Sequence, residues 1–132
     1  MKIKIISRGK IQKKFTKEAI KEFEKRLTKY CKIELRTDKN ADKGIKDKDY
    51  LIKISKRGKS ISSERLAEQI ETLRNGGRSC IAVVFDEEYP VKEADLILSI
   101  SNMDIDRELM LMILYEQIYR SYRIINNAPY HK

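Results

Sequence analysis

Cysteine and histidine are scarce in this chain of 132 residues: Cys31 and Cys80 lie far apart, and the one histidine, His131, is next to last. With no CxxC pair and no second histidine, nothing in the pattern can build a metal site, and both thiols read as ordinary buried groups. Long apolar runs are missing as well. The opening MKIKIISRGK has three isoleucines broken up by lysine, which is no signal-peptide core. Nothing approaches the roughly 20 apolar residues of a membrane-spanning helix. These absences predict a cytoplasmic protein with neither metal nor membrane partner.

What is present points to a folded domain. A composition 41% hydrophobic and 37% charged is too rich in isoleucine, leucine and aromatic residues for a disordered chain. The length suits one domain, residues 1–132, with a core that needs no staple. A net charge of +9 predicts a polyanionic partner, because clustered Lys and Arg attract phosphate and release its counterions. A lysine-rich proteome that places Lys on every solvated face would give the same number, and charge alone does not separate the two.

Strand and helix patterns alternate along the chain. KIKII (residues 2–6) alternates charge with isoleucine and predicts a strand, with a turn at Gly9. FTKEAIKEFEKRLTKY spaces Phe15, Ala19, Ile20, Phe23, Leu27 and Tyr30 three or four apart, which predicts a helix capped by Thr16 and stapled by Phe15 onto Ile20. KIELR is a second strand, and residues 37–49 read as a flexible polar connection. YLIKIS is a third strand. A helix capped at Ser62 or Ser63 follows it and stops at Gly76-Gly77. CIAVVF is apolar throughout, as a central strand covered on both faces requires, and LILSIS is a fifth strand. The last helix begins near Asp106 and leaves no polar face from Leu109 to Tyr115, so a partner subunit is expected to cover it. The class is α/β.

That helix breaks at Asn126-Asn127, and Pro129 then stiffens a short tail. The break delivers Tyr130, His131 and Lys132 at a fixed distance from Glu116-Gln117 and Tyr119-Arg120. This combination, within LSISNMDIDRELMLMILYEQIYRSYRIINNAPYHK, resembles the C-terminal segment of the ribosomal large-subunit pseudouridine N3-methyltransferases, small members of the knotted SPOUT superfamily. KIKIISRGKIQKKFTKEAIKEFEKRLTKYCKIEL and IKISKRGKSISSERLAEQI are similar to other segments of that family. The likeness therefore spans most of the chain, and the connection around residues 37–49, where the family usually carries another helix, is short.

The resemblance implies a knotted, mostly parallel sheet flanked by helices, a homodimer paired through the last helix, and S-adenosylmethionine bound in a C-terminal knot. It implies action on a uridine-derived base of large-subunit rRNA in the ribosome. Tyr130 and His131 match the tail that reaches the reacting base, and histidine can accept the ring N–H proton near neutrality. An exposed, inert histidine is the alternative for His131 on sequence alone. Arg120, Arg123, Lys132 and Arg57 are the candidate RNA contacts, with Lys56 and Lys59 beside Arg57.

The positions that match the family's cofactor pocket are Gly58, Phe85, Asp86 and Ile105. Two of its loops depart from the family pattern. Phe85 and Asp86 stand where the family places glycines after the fourth strand, and Ile105-Asp106-Arg107 stands where it reads Phe-Pro-His, with Leu111 in place of a following Arg. Glycine lets a backbone approach a ligand closely, so its loss predicts weak S-adenosylmethionine binding or none. Three functions stay open: a relative on the ribosome whose cofactor site has degenerated, an active rRNA methyltransferase, and a basic structural domain with no RNA role.

Overall fold

Period-two alternation sends the side chains of a strand to opposite faces, and here it sorts the whole molecule. The computed structural model describes residues 1–37, 44–85 and 93–130. Its elements are β1 (Lys2–Ser7), α1 (Lys14–Leu27), β2 (Lys32–Arg36), β3 (Tyr50–Ser60), α2 (Ser63–Asn75), β4 (Cys80–Phe85), β5 (Leu96–Ser99) and α3 (Arg107–Ile125). The strands form one sheet in the order β2-β1-β4-β3-β5, and every neighbouring pair is parallel.

Ile3 and Ile5 of β1, with Ile52, Ile81 and Val83 from their neighbours, face a core to which all three helices contribute. α3 supplies its largest members, Tyr115 and Tyr122, and packs against both α1 and α2. The opposite face carries Ile6, Leu51, Ala82 and Val84, with Ile45 and Ala94 packed on it. β4 is buried on both sides, as CIAVVF requires. Lys4, on the second face, is buried against Asp49 at 2.7 Å, with the two side chains 5% and 1% exposed. Burial alone would raise the carboxyl of Asp49. The Lys4 ammonium and the Lys46 amide more than offset that and hold it below the usual carboxylate range.

Helix ends explain how the chain turns. Ser62 accepts a hydrogen bond from the Arg65 amide and opens α2. Gly77 at φ +85° closes it, with the Arg78 amide bonded to the Leu73 carbonyl and the Gly77 amide to that of Arg74. The same geometry ends α3: Asn127 has φ +53°, the Ala128 amide donates to Arg123, and the Asn127 amide donates to Ile124. α1 starts differently from the sequence expectation. Its first residue is Lys14, Lys13 makes no side-chain cap, Thr16 is buried within the first turn, and Phe15 is 52% exposed. The cap comes from α3 instead: the buried Glu108 accepts from the amides of Gln12 (2.9 Å) and Lys13 (3.2 Å).

A candidate cleft at the carboxyl ends of the strands

From β1 the chain leaves toward β2 at one edge, and from β4 it passes toward β5 at the other. Ligand crevices in parallel sheets lie where such departures diverge, outside the carboxyl ends of the strands. Here that place is the pair Ser7 and Phe85, which are register partners on β1 and β4. A cleft of about 620 Å³ opens beside it. Its apolar lining is Ile54, Phe85, Ile105 and Met110, with Met103 at the mouth, and its cations are Lys56, Arg57 and Arg107.

Three contacts set the walls. Lys56 reaches across to Asp104 at 2.7 Å, and this hydrogen bond holds the Asp104 carboxyl below its usual range. Arg107 donates to the Ser7 hydroxyl (2.6 Å) and to the Lys10 carbonyl (3.2 Å), tying the start of α3 to the loop after β1. Asp106 accepts from the amides of Leu109 and Glu108 and caps α3, and the Leu109 amide leads in lowering its carboxyl pKa. Gly58 lies next to Arg57, at an irregularity in the β3–β5 pairing. A Cβ there would sit 2.7 Å from the backbone carbon and oxygen of Ile97, so close packing of two strands accounts for this glycine.

The second set of sequence candidates sits far along α3. The Tyr130 hydroxyl donates to Glu116 at 2.9 Å, and its ring meets that of Tyr119 edge-on with centroids 5.0 Å apart. Arg120 bonds the same Glu116 oxygen at 2.9 Å and lies 4.8 Å from the centre of the Tyr130 ring. Partial burial raises the Tyr130 phenol above its usual value, and the bond to Glu116 adds to the effect. Arg123 donates to the Tyr30 hydroxyl at 3.0 Å, which lowers that phenol. Glu116, Tyr119, Arg120 and Tyr130 are thus one cluster, and the spacing of the sequence motif is the spacing of its contacts. His131, Lys132 and Asp86 lie outside the described residues.

The structure therefore brings Arg57, Phe85 and Ile105 together at the cleft, and Tyr130, Arg120 and Arg123 along the end of α3. Sequence reasoning passed over Asp104, Met103, Met110 and Glu108. Nothing in the sequence marked Asp104, which only the fold brings to Lys56. No group of three His, Cys, Asp or Glu residues able to hold a metal exists among the described residues. Cys31 and Cys80 are free and buried, and burial raises both thiols.

Comparison with known proteins decides the family. A family described as "Predicted SPOUT methyltransferase" matches residues 1–131. The chain belongs to the SPOUT methyltransferase family. Its five parallel strands and helical layer are consistent with the knotted fold of that family. It is 43% identical to ribosomal RNA large subunit methyltransferase H 1 of Thermoanaerobacter sp. (strain X514) and 43% identical to methyltransferase H 2 of Thermoanaerobacter pseudethanolicus (strain ATCC 33223 / 39E), over 136 positions covering all of each chain. It is 39% identical to ribosomal RNA large subunit methyltransferase H of Clostridium botulinum (strain Kyoto / Type A2), over 159 positions and again all of both chains. Against that SPOUT relative the present chain is the shorter form.

Proposed function

We propose that this SPOUT protein acts on large-subunit rRNA in the cytoplasm as a homodimer and holds S-adenosylmethionine only weakly. Whole-length identity to proteins named ribosomal RNA large subunit methyltransferase H carries the RNA reading, and the docked Tyr130 supports it by positioning the start of the tail. The dimer rests on the outer face of α3. Leu109 is 47% exposed there, Met112 and Ile113 are half-buried, and apolar side chains on one helical face call for cover. Replacing Met112 with Glu should yield monomer or aggregate by sedimentation, because a charge buried in that interface has no partner.

The weak cofactor reading rests on the cleft's lining. Besides one carboxylate, S-adenosylmethionine presents a sulfonium and an ammonium, both cationic. The described lining meets them with Lys56, Arg57 and Arg107, and its one carboxylate, Asp104, is already paired with Lys56. No glycine backbone is offered either, since the open side of Gly58 is filled by β5 and Phe85 ends β4. Among the described residues, then, no unpaired carboxylate meets the two cationic groups, and the lining cations suit only the donor's carboxylate. Displacing the Phe85 ring would expose apolar area worth roughly a couple of kcal/mol, more than tenfold in affinity.

Calorimetric titration with S-adenosylmethionine is the deciding experiment, with weak or no heat expected and a gain on Phe85→Gly. The size of the cleft favours the second reading, an active methyltransferase with Tyr130 and His131 at the base. Low-micromolar binding by the unaltered protein would establish that reading, with His131→Ala in a transfer assay on ribosomes as the next step.

A further inference from the structure

Cations differ in how much of their charge is available to a new partner, and the structure divides those of this protein by place. On α3, Arg120 is paired with the Glu116 carboxylate and stacked on Tyr130, with its side chain 26% exposed. At the carboxyl end of the sheet the cations stand open. Arg57 and Lys10 are exposed and make no ion pair among the described residues. Lys56 and Lys13 pair with Asp104 and Asp106, but these pairs lie in solvent, where an ion pair is worth about 0–1 kcal/mol and is readily exchanged for a phosphate. Arg107 links the two groups, because its guanidinium lines the cleft while bonding the Lys10 carbonyl.

The result is an arc of cations: Lys56, Arg57 and Arg107 line the cleft, and Lys10 and Lys13 are joined to the same end of α3, with Asp104, Asp106 and the buried Glu108 set against them among the described residues.

We propose that the sugar-phosphate backbone of the RNA lies along this arc, on Lys10, Lys13, Lys56 and Arg57, and not on Arg120 of α3. The inference rests on the rRNA reading above and adds to it a surface and a mode of contact. Phosphate contacts position a nucleic acid without reading its sequence, so the arc supplies affinity and orientation while the choice of base is left to other groups. Each neutralised phosphate releases condensed counterions, which makes the arc measurable through salt.

The test is filter binding of a large-subunit rRNA fragment by the full chain over a range of salt concentrations. The combined variant Lys10→Gln, Lys56→Gln, Arg57→Gln should lose at least tenfold in affinity at about 0.15 M salt, and the slope of log affinity against log salt should fall by roughly two to three. Its three positions are exposed, so thermal unfolding should match the parent. Arg120→Gln should leave the slope unchanged. A slope preserved in the combined variant, or reduced in Arg120→Gln, overturns the arc while leaving rRNA binding intact. Failure of the parent protein to bind at any salt overturns both the arc and the rRNA reading.

Discussion

The two ends of α3 carry the same kinds of residue and use them in opposite ways. At the tail end, Glu116 receives both Arg120 and Tyr130, so the charge of Arg120 is offset within the fold, while Arg123 donates to the neutral hydroxyl of Tyr30. At the cleft end, Lys10 and Arg57 keep theirs for solvent or ligand. If the proposed arc carries the RNA, a basic residue's place in a recognisable motif matters less than whether an internal carboxylate has paired it first.

The most tightly claimed charge in the described protein breaks this contrast hardest when removed. Asp49→Ala leaves Lys4 buried without a counter-charge and should cost about 3–5 kcal/mol in chemical denaturation. The pair also sets a pH dependence. The carboxyl of Asp49 is depressed in the folded state, so its contribution is complete above the unfolded value of about 3.9 and fades as pH falls through the lower folded value. Asp49→Asn should accordingly show a flatter acid limb than the parent below about pH 4.

Gly58→Ala tests the one place where the open end is as tight as the rest. Its new Cβ would press on the Ile97 backbone and should cost about 1–3 kcal/mol, with no need of any ligand to reveal it. An unaltered melting temperature in that variant would return Gly58 to the role of a cofactor contact. Glu116→Ala should be milder, about 1 kcal/mol, because its partners are partly solvated once released. Its sharper readout is the tail, since Tyr130 fluorescence quenching should increase as the ring leaves Tyr119 and Arg120. Smallest of all, Arg57→Gln alone should change stability by less than about 0.5 kcal/mol while lowering the salt slope of RNA binding by about one.

Much of the architecture was legible from periodicity. β2 coincides with KIELR, β4 with CIAVVF, and the stops at Gly76-Gly77 and Asn126-Asn127 fall where the sequence put them. These features are local, governed by alternation and by the left-handed residue that ends a helix. What escaped was non-local. Thr16 and Phe15 have the look of a cap and staple, yet Glu108, ninety-odd positions away, does the capping. Asp49 reads as one more charge in a polar connection until β1 places Lys4 against it. The same limit holds at the candidate site: the spacing of Glu116, Tyr119, Arg120 and Tyr130 announced a unit, but not that its arginine would be turned inward. Lys56 and Asp104, divided by two strands and a helix, gave no joint signal at all.

The bond from Glu108 to the start of α1 gives the protein a remote indicator of its own cleft. Arg107, a wall of the cleft, and Glu108, which holds the entry to α1, are adjacent residues at the start of α3, so an occupant that displaces this helix end is expected to strain the bonds of Glu108. The amides of Gln12 and Lys13 would register that pull as a change in hydrogen exchange. For a small molecule, occupancy could thus be followed outside the cleft's own lining, which would turn the entry to α1 into a gauge for screening what the cleft accepts.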